Sequence, residues 1–303
     1  MSDYVQTRAV TSNFSSAESW SILSDIERSI KAKIQAIGVP LREWDIQINY
    51  GIKTGFNEAF IIDSVKRDEI LKTCQSIEER DRTAELIRPI LRGRDIKRYG
   101  YDWANQYIVA TFPSRHYNID DYPALKEFLL SFGTERLEQT GKEYIIDGEK
   151  VKARKKTNNK WFETQDSISY WDEFSKPKIV WIELSDESKF ALCNDLIPLN
   201  TVFFLTGENL HHILGLLNSR LIHWYFTHCL GTSSGAGTNR WLKYTIENLP
   251  LVSYVTDELS ALIRQRLSNS SCVKQLELQI DQYICELYGL SQEETNFILT
   301  CRE

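Results

Sequence analysis

The chain has 303 residues, with 36 Lys and Arg against 42 Asp and Glu, a formal charge of −6 and 42% hydrophobic residues. That length suits one large domain or two small ones, and the composition is that of a folded chain with a sizeable core, which excludes disordered and fibrous classes. On average charge alone nucleic acid is disfavoured, since Lys and Arg supply most of the affinity for phosphate, and six scattered cysteines without a Cys-x-x-Cys pair disfavour a zinc cluster or disulfide framework.

Residues 16–37 place Trp20, Leu23, Ile26, Ile30, Ile34 and Ile37 at spacings of three and four. This predicts an amphipathic helix stopped by Gly38 and Pro40. From Trp44 the period drops to two: Ile46 and Ile48 alternate with polar residues, and Phe60-Ile61-Ile62 reads as a buried strand. Residues 66–80 read as a charged helix. The run Tyr107-Ile108-Val109-Ala110-Thr111-Phe112 predicts a strand ending at Pro113, and Tyr122 to Phe132 a short helix with Pro123 in its first turn. Ile179–Ile182 and Val202–Leu205 are further strands, and residues 208–228 an apolar, aromatic helix. A Gly, Ser, Thr and Ala loop follows over residues 231–237, and helical periodicity returns from Asp257. The fold class expected is α+β, a mixed β-sheet core flanked by N-terminal and C-terminal helices, divided as residues 1–40, 41–255 and 256–303. Large aromatics such as Trp44, Trp181 and Trp224 are expected in the core. No basic leader precedes an apolar stretch and no run of about 18 apolar residues occurs, so a cytoplasmic protein with no membrane partner is expected.

Basic residues are concentrated. Residues 88–98 carry Arg88, Arg92, Arg94, Lys97 and Arg98 against Asp95, and residues 150–160 carry Lys150, Lys152, Arg154, Lys155, Lys156 and Lys160 with no acid. Guanidinium forks suit phosphates and guanine edges, and a lysine run can track a phosphate backbone; a solvated basic face is the plain alternative for the first run and a disordered basic loop with no partner for the second. Gly51-Ile52-Lys53-Thr54-Gly55 lacks the spacing of a nucleotide-binding loop, yet Lys53 and Thr54 suit a turn that contacts a backbone. In Gly231 to Trp241, the side chains of Ser234, Asn239 and Arg240 are donors typical of phosphate and base-edge contacts. The five histidines have no metal-ligand spacing. Glu187-Ser188-Lys189 has the form of half a nuclease metal site, but no Pro-Asp pair lies upstream. No Asn-Pro-Pro-Tyr motif is present.

Together, Gly51-Ile52-Lys53-Thr54-Gly55-Phe56-Asn57-Glu58-Ala59-Phe60-Ile61-Ile62-Asp63 and Ile90-Leu91-Arg92-Gly93-Arg94-Asp95-Ile96-Lys97-Arg98-Tyr99 resemble the TaqI-like C-terminal specificity domain of type IIG restriction-modification enzymes and adenine-specific DNA methyltransferases. Further matches are Thr111-Phe112-Pro113-Ser114, Tyr170-Trp171-Asp172-Glu173-Phe174, Lys176-Pro177-Lys178-Ile179-Val180-Trp181 and Leu216-Leu217-Asn218-Ser219. The resemblance covers residues 44–255, and Glu286-Leu287-Tyr288-Gly289-Leu290 is similar to the end of such enzymes. It implies binding of double-stranded DNA, reading of a short asymmetric sequence, and presentation of that site to a methyltransferase or nuclease domain or subunit. On this expectation Lys53, Arg92, Arg94, Lys97 and Arg98 face the duplex, and Lys152, Arg154, Lys155 and Lys156 position its backbone. Bases are read by some of Arg92, Arg94, Asn239 and Arg240. No catalytic activity is expected from these residues alone, and S-adenosylmethionine and Mg2+ belong to other domains. The competing classes are a metal-dependent nuclease built on Glu187 and Lys189, and an interaction module for acidic proteins. The apolar stripes of residues 16–37 and 257–288 either pack within the monomer, pair with each other or dock a missing domain.

Overall fold

A computed structural model describes residues 23–146, 148–230, 239–269 and 272–301. Helix α1 (Asp25–Ile37) starts at Ser24, which forms a reciprocal capping box with Glu27. It stops at Gly38, where a Cβ would lie 2.3 Å from the Pro250 carbonyl oxygen. The expected residues 16–22 of this helix, Trp20 among them, lie outside the described residues.

In chain order there follow β1 (Val39–Pro40), β2 (Ile46–Tyr50), α2 (Asn57–Phe60), β3 (Ile61–Asp63), α3 (Ser64–Thr73), α4 (Ile77–Leu86), β4 (Ile87–Leu91), β5 (Ile96–Lys97), β6 (Gly100–Tyr101) and β7 (Gln106–Val109). Then come α5 (Pro123–Leu130), α6 (Thr134–Leu137), β8 (Glu143–Ile146), β9 (Glu149–Lys152), β10 (Lys178–Ile182), β11 (Ala191–Cys193), β12 (Ile197–Pro198) and β13 (Val202–Gly207). The remainder is α7 (Leu210–Asn218), α8 (Arg220–Tyr225), α9 (Lys243–Glu247), β14 (Pro250–Leu251), α10 (Asp257–Ser268), α11 (Val273–Leu287) and α12 (Gln292–Thr300). The class is α+β, as the periodicities imply.

Three expected elements are bounded differently in the structure, two of them by capping residues that periodicity does not weigh. Phe60 closes a helical turn, so its strand begins one residue later. The expected helix 66–80 is two helices: Asp63 accepts from the Lys66 amide to open α3, and Ser76 accepts from the Glu79 amide to open α4. The expected helix 208–228 breaks at Ser219, whose hydroxyl donates to the Leu216 carbonyl at 2.7 Å and accepts from the Ile222 amide at 3.2 Å. Ser219 thus ends α7 and starts α8, while Phe226–Leu230 winds on as a π-helical turn.

The chain packs as two compact units, each discontinuous in sequence. One is the sheet unit, Gln47–Ile182 with Ala191–Thr206; the other, the helical unit, holds the described parts of Met1–Ile46, Glu183–Phe190 and Gly207–Glu303. Residues 207–255 therefore group with the terminal helices. In the sheet unit one four-stranded sheet has the order β11-β10-β13-β2, and both neighbours of β10 run antiparallel to it. A second has the order β12-β4-β7-β3, antiparallel except for the parallel pair β12 and β4. Both sheets lose their apolar side chains to a common core that includes Ile90, Leu91, Ile108, Phe112, Phe174, Val180 and Phe204. The Phe174 and Phe204 rings are 5.2 Å apart, within the range favoured by aromatic pairs.

In the helical unit β1 pairs with β14, and Ile30, Ile34, Ile263, Ile280 and Ile284 are fully buried. These residues of the α1, α10 and α11 stripes are thus packed within the unit, as internal packing requires, while Ile37 and Leu278 are exposed. Trp181 and Trp224 are buried as expected, while Trp44 is half-buried and stacks on His212.

Candidate nucleic-acid interface

The first basic run is largely spent on structure. Past the end of β4, Arg92 forks onto Asp95 at 2.7 and 2.8 Å and donates to Gln106 Oε1 at 3.1 Å. A charge-assisted bidentate pair of this kind fixes a turn firmly. Gly93 follows because a Cβ there would lie 2.8 Å from both Ile182 Cγ2 and Thr201 Oγ1. Lys97 pairs with Asp102 on the surface, and the Arg98 guanidinium lies over the Tyr99 ring, 5.6 Å from its centroid. Arg94 is exposed and, among the described residues, makes no ion pair. Of Arg92-Gly93-Arg94-Asp95, then, three residues shape the turn and Arg94 faces outward.

The second run behaves differently. Arg154 is only 4% exposed. Its guanidinium donates to four backbone carbonyls: Leu137 at 2.8 Å, Thr54 at 3.1 Å, Glu163 at 2.7 Å and Trp161 at 2.5 Å. Burial draws its pKa down to about 10, against the opposing charge of Glu163, so it is still a cation at neutral pH. The expectation that Arg154 touches a DNA backbone is therefore corrected: the side chain is buried and four of its five N–H donors are taken by the interior. Thr54 is corrected with it. Its hydroxyl is buried and bonded to Asn57 Oδ1 at 2.6 Å and to the Phe56 amide at 3.2 Å.

Arg154 nonetheless organises a surface. Through Thr54 it ties the Gly51–Gly55 loop to the β8–β9 hairpin segment, and the Gln165 amide donates to the Lys53 carbonyl at 3.2 Å. Lys53 is left exposed on that loop, and Lys152, Lys155 and Lys156 are exposed beside Arg154 in the chain, none in an ion pair among the described residues. On the hairpin Lys152 lies opposite Glu143 and Lys150 opposite Ile145. The period of two puts these four on one face, and Ile145 is 76% exposed there.

Asn239 and Arg240 belong to the helical unit. The Asn239 carbonyl accepts from the Ser185 amide at 3.2 Å, and Arg240 pairs with Glu183, with Nη2 at 2.5 Å and Nε at 3.2 Å. Both strap the segment Glu183–Ser185 in place. Ser234 lies outside the described residues. Glu187 and Lys189 meet as a surface ion pair at 3.5 Å, and Ser188 between them bonds His223 Nδ1 at 3.0 Å. Among the described residues no three His, Cys, Asp or Glu side chains converge as metal ligands.

One feature was missed by sequence reasoning. In the sheet unit a cleft of about 280 Å³ is lined by Arg82, Arg88, Arg115, Tyr117, Tyr122 and Trp171 over a floor that includes Phe112 and Ile197. Its residues come from four separate segments, so no single local run announces it. The available signal was that Arg115 adjoins Thr111-Phe112-Pro113-Ser114 and that Trp171 lies in Tyr170-Trp171-Asp172-Glu173-Phe174.

Those motifs are otherwise structural. Phe174 is in the core, the Tyr170 hydroxyl donates to the Tyr50 carbonyl at 3.0 Å, and Glu173 accepts from Thr206 at 2.5 Å and from Lys176 at 2.6 Å. Lys178 is fully buried with Nζ on the Asn194 carbonyl at 2.9 Å, and burial lowers its pKa. Asn218 exchanges two hydrogen bonds with the Phe190 backbone at 3.1 and 2.9 Å.

The fold is similar to that of the type IIG restriction endonuclease BpuSI, with a TM-score of 0.54 and 12% identity over 91% of this chain and 32% of that one. The type IIL restriction-modification enzyme MmeI, solved in complex with DNA, matches with a TM-score of 0.49 and 11% identity over 86% of this chain and 36% of that one. This chain thus spans about a third of the length of either enzyme. No curated protein sequence matches it. No helix among the described residues is long and apolar enough to cross a membrane. The family model of the TaqI-like C-terminal specificity domain matches residues 88–251, more than half of the sequence, and the chain belongs to that family.

Proposed function

We propose that this chain binds double-stranded DNA and reads a short sequence in it, as the specificity part of a cytoplasmic restriction-modification system that works with an adenine methyltransferase or nuclease domain or subunit. The observation that carries the reading is the set of exposed, unpaired cations within a specificity-domain sheet unit: Lys53, Arg94, Lys152, Lys155 and Lys156. Every other base expected to face DNA is tied to a neighbour, lies over a ring or is buried. The lysines of the β8–β9 segment supply sequence-independent phosphate contacts, and Arg94, held out by a rigid turn, reads base edges. S-adenosylmethionine and Mg2+ are assigned to the catalytic partner.

The test is selection on a randomised duplex library, with and without that partner, followed by titration of the triple variant Lys152→Ala, Lys155→Ala and Lys156→Ala. Each lost phosphate contact removes about 0.9 from the slope of log K against log salt, so the slope falls by about 2–3 while the selected sequence is unchanged. Retention of the full salt slope removes the lysines from the interface. Enrichment of no sequence in either selection refutes the reading.

A further inference from the structure

We infer that the cleft between α4, the Phe112–Tyr122 segment and Trp171 binds a nucleoside carrying a terminal phosphate monoester, either a free mononucleotide or the phosphorylated end of a DNA strand. The site is distinct from the lysines and Arg94 argued to meet the duplex, and it does not depend on them.

Charge comes first. Three guanidinium groups, Arg82, Arg88 and Arg115, share the cleft with one carboxylate, Glu85. Neither Arg88 nor Arg115 forms an ion pair among the described residues, and Arg82 is held by a neutral acceptor, the Asp121 carbonyl at 3.2 Å. The excess of two positive charges matches a phosphate monoester, which carries about −1.5 to −2 at neutral pH, better than the single charge of an internal diester.

The way Arg115 is held makes it a ligand group. It lies over the Trp171 ring with its guanidinium carbon 4.0 Å from the centroid. A cation–π contact orients the fork without occupying its N–H edge, so the donors remain free for phosphate and the outer face is free for a base to stack upon. Apolar walls and the two phenols complete a base site: Tyr117 and Tyr122 meet edge to face with centroids 6.2 Å apart. Burial, followed by the neighbouring Tyr117, raises the Tyr122 pKa, so its hydroxyl stays a neutral donor at physiological pH. Size sets the limit. About 280 Å³ falls just short of the usual range for small-molecule sites, which limits the occupant to a single nucleotide.

The experiment uses the full chain. Equilibrium dialysis compares dAMP, deoxyadenosine and inorganic phosphate, and anisotropy compares a duplex with 5′-phosphate ends against the same duplex with 5′-hydroxyl ends. Expected is at least tenfold tighter binding of dAMP than of deoxyadenosine or phosphate alone, or a matching preference for the phosphorylated duplex. The first result alone assigns a free nucleotide, and the second a strand end. Arg88→Gln with Arg115→Gln abolishes the preference; if that variant melts early, the exposed Arg82→Gln reduces it several-fold in a normally folded chain. The lysine triple variant leaves it intact, which separates this site from the duplex surface. Equal binding of dAMP and deoxyadenosine, or of dAMP and phosphate, together with indifference to duplex ends, overturns the inference.

Discussion

The two basic runs look alike on paper and are used in opposite ways. In residues 88–98 the cations are dispersed: Arg92 locks onto Asp95, Lys97 pairs with Asp102, Arg98 lies over Tyr99, Arg88 lines a cleft, and Arg94 alone points outward unpaired. In residues 150–160 one arginine goes inside and the lysines stay out. The difference follows from side-chain chemistry. A guanidinium offers five fixed donors and loses less hydration on burial, so it can gather several carbonyls at once, whereas an ammonium is a compact, strongly hydrated charge that favours the surface. Counting charge along a sequence therefore overstates what a ligand meets, and the arginines are the residues most often withdrawn.

The sharpest way to break this comparison is Arg154→Met. If Arg154 is an interior hub, its removal takes a donor from four carbonyls, of which only that of Glu163 keeps another among the described residues, from Gln139 Nε2, and the protein loses about 3–5 kcal/mol in urea unfolding. A variant of wild-type stability that has lost DNA affinity would return Arg154 to the surface. Next is Arg94→Ala, which is expected to cost about 1–3 kcal/mol on the selected duplex, nothing on random duplex, and to leave stability unchanged. Equal losses on both duplexes would make Arg94 a phosphate contact.

Glu294 extends the comparison to a carboxylate withdrawn from the surface. Burial would raise its pKa, but hydrogen bonds from Lys33 and Ser29, both at 2.6 Å, and from the Ser291 amide prevail and hold it at about 2. Because the folded value lies below the ordinary 4.5, the stabilisation is complete above that pH and is lost as pH falls towards 2. Wild type should exceed Glu294→Gln by about 1–2 kcal/mol at pH 7, with allowance for solvent screening, and the gap should close on acidification. A gap independent of pH would mean the contact is not ionic. The smallest effect belongs to Lys97→Ala: its pair with Asp102 is exposed on both sides, and such pairs contribute about 0–1 kcal/mol, falling with salt. A larger loss in thermal melts would place Lys97 among the withdrawn cations.

Much of the fold was legible because it rests on local rules. Ile30 and Ile34 announced α1, and the apolar runs at 179–182 and 202–205 announced β10 and β13, since periodicity and burial coincide there. The breaks at Ser76 and Ser219 were not, because one hydroxyl that serves as a cap outweighs several residues of favourable pattern. The site was less legible. Arg154 and its lysine neighbours are chemically similar in a sequence, and only the third dimension shows which of them finds carbonyls from residues 54, 137, 161 and 163. The cleft at Trp171 was hidden for a related reason: its arginines are 6 and 27 positions apart in sequence, and only Arg88 belongs to a basic run.

The interleaved division of the chain bears on its synthesis. Helix α1 belongs to the unit that closes with Gly207–Glu303, so Ile30 and Ile34 leave the ribosome long before their partners. At ~5–20 residues per second, the remaining residues take roughly 15–50 s to appear. Throughout that interval the stripe of α1 is sticky and uncovered, while the intervening strands have most of what they need to collapse. Slow translation between residues 38 and 207 would therefore prolong that exposure and cost soluble yield.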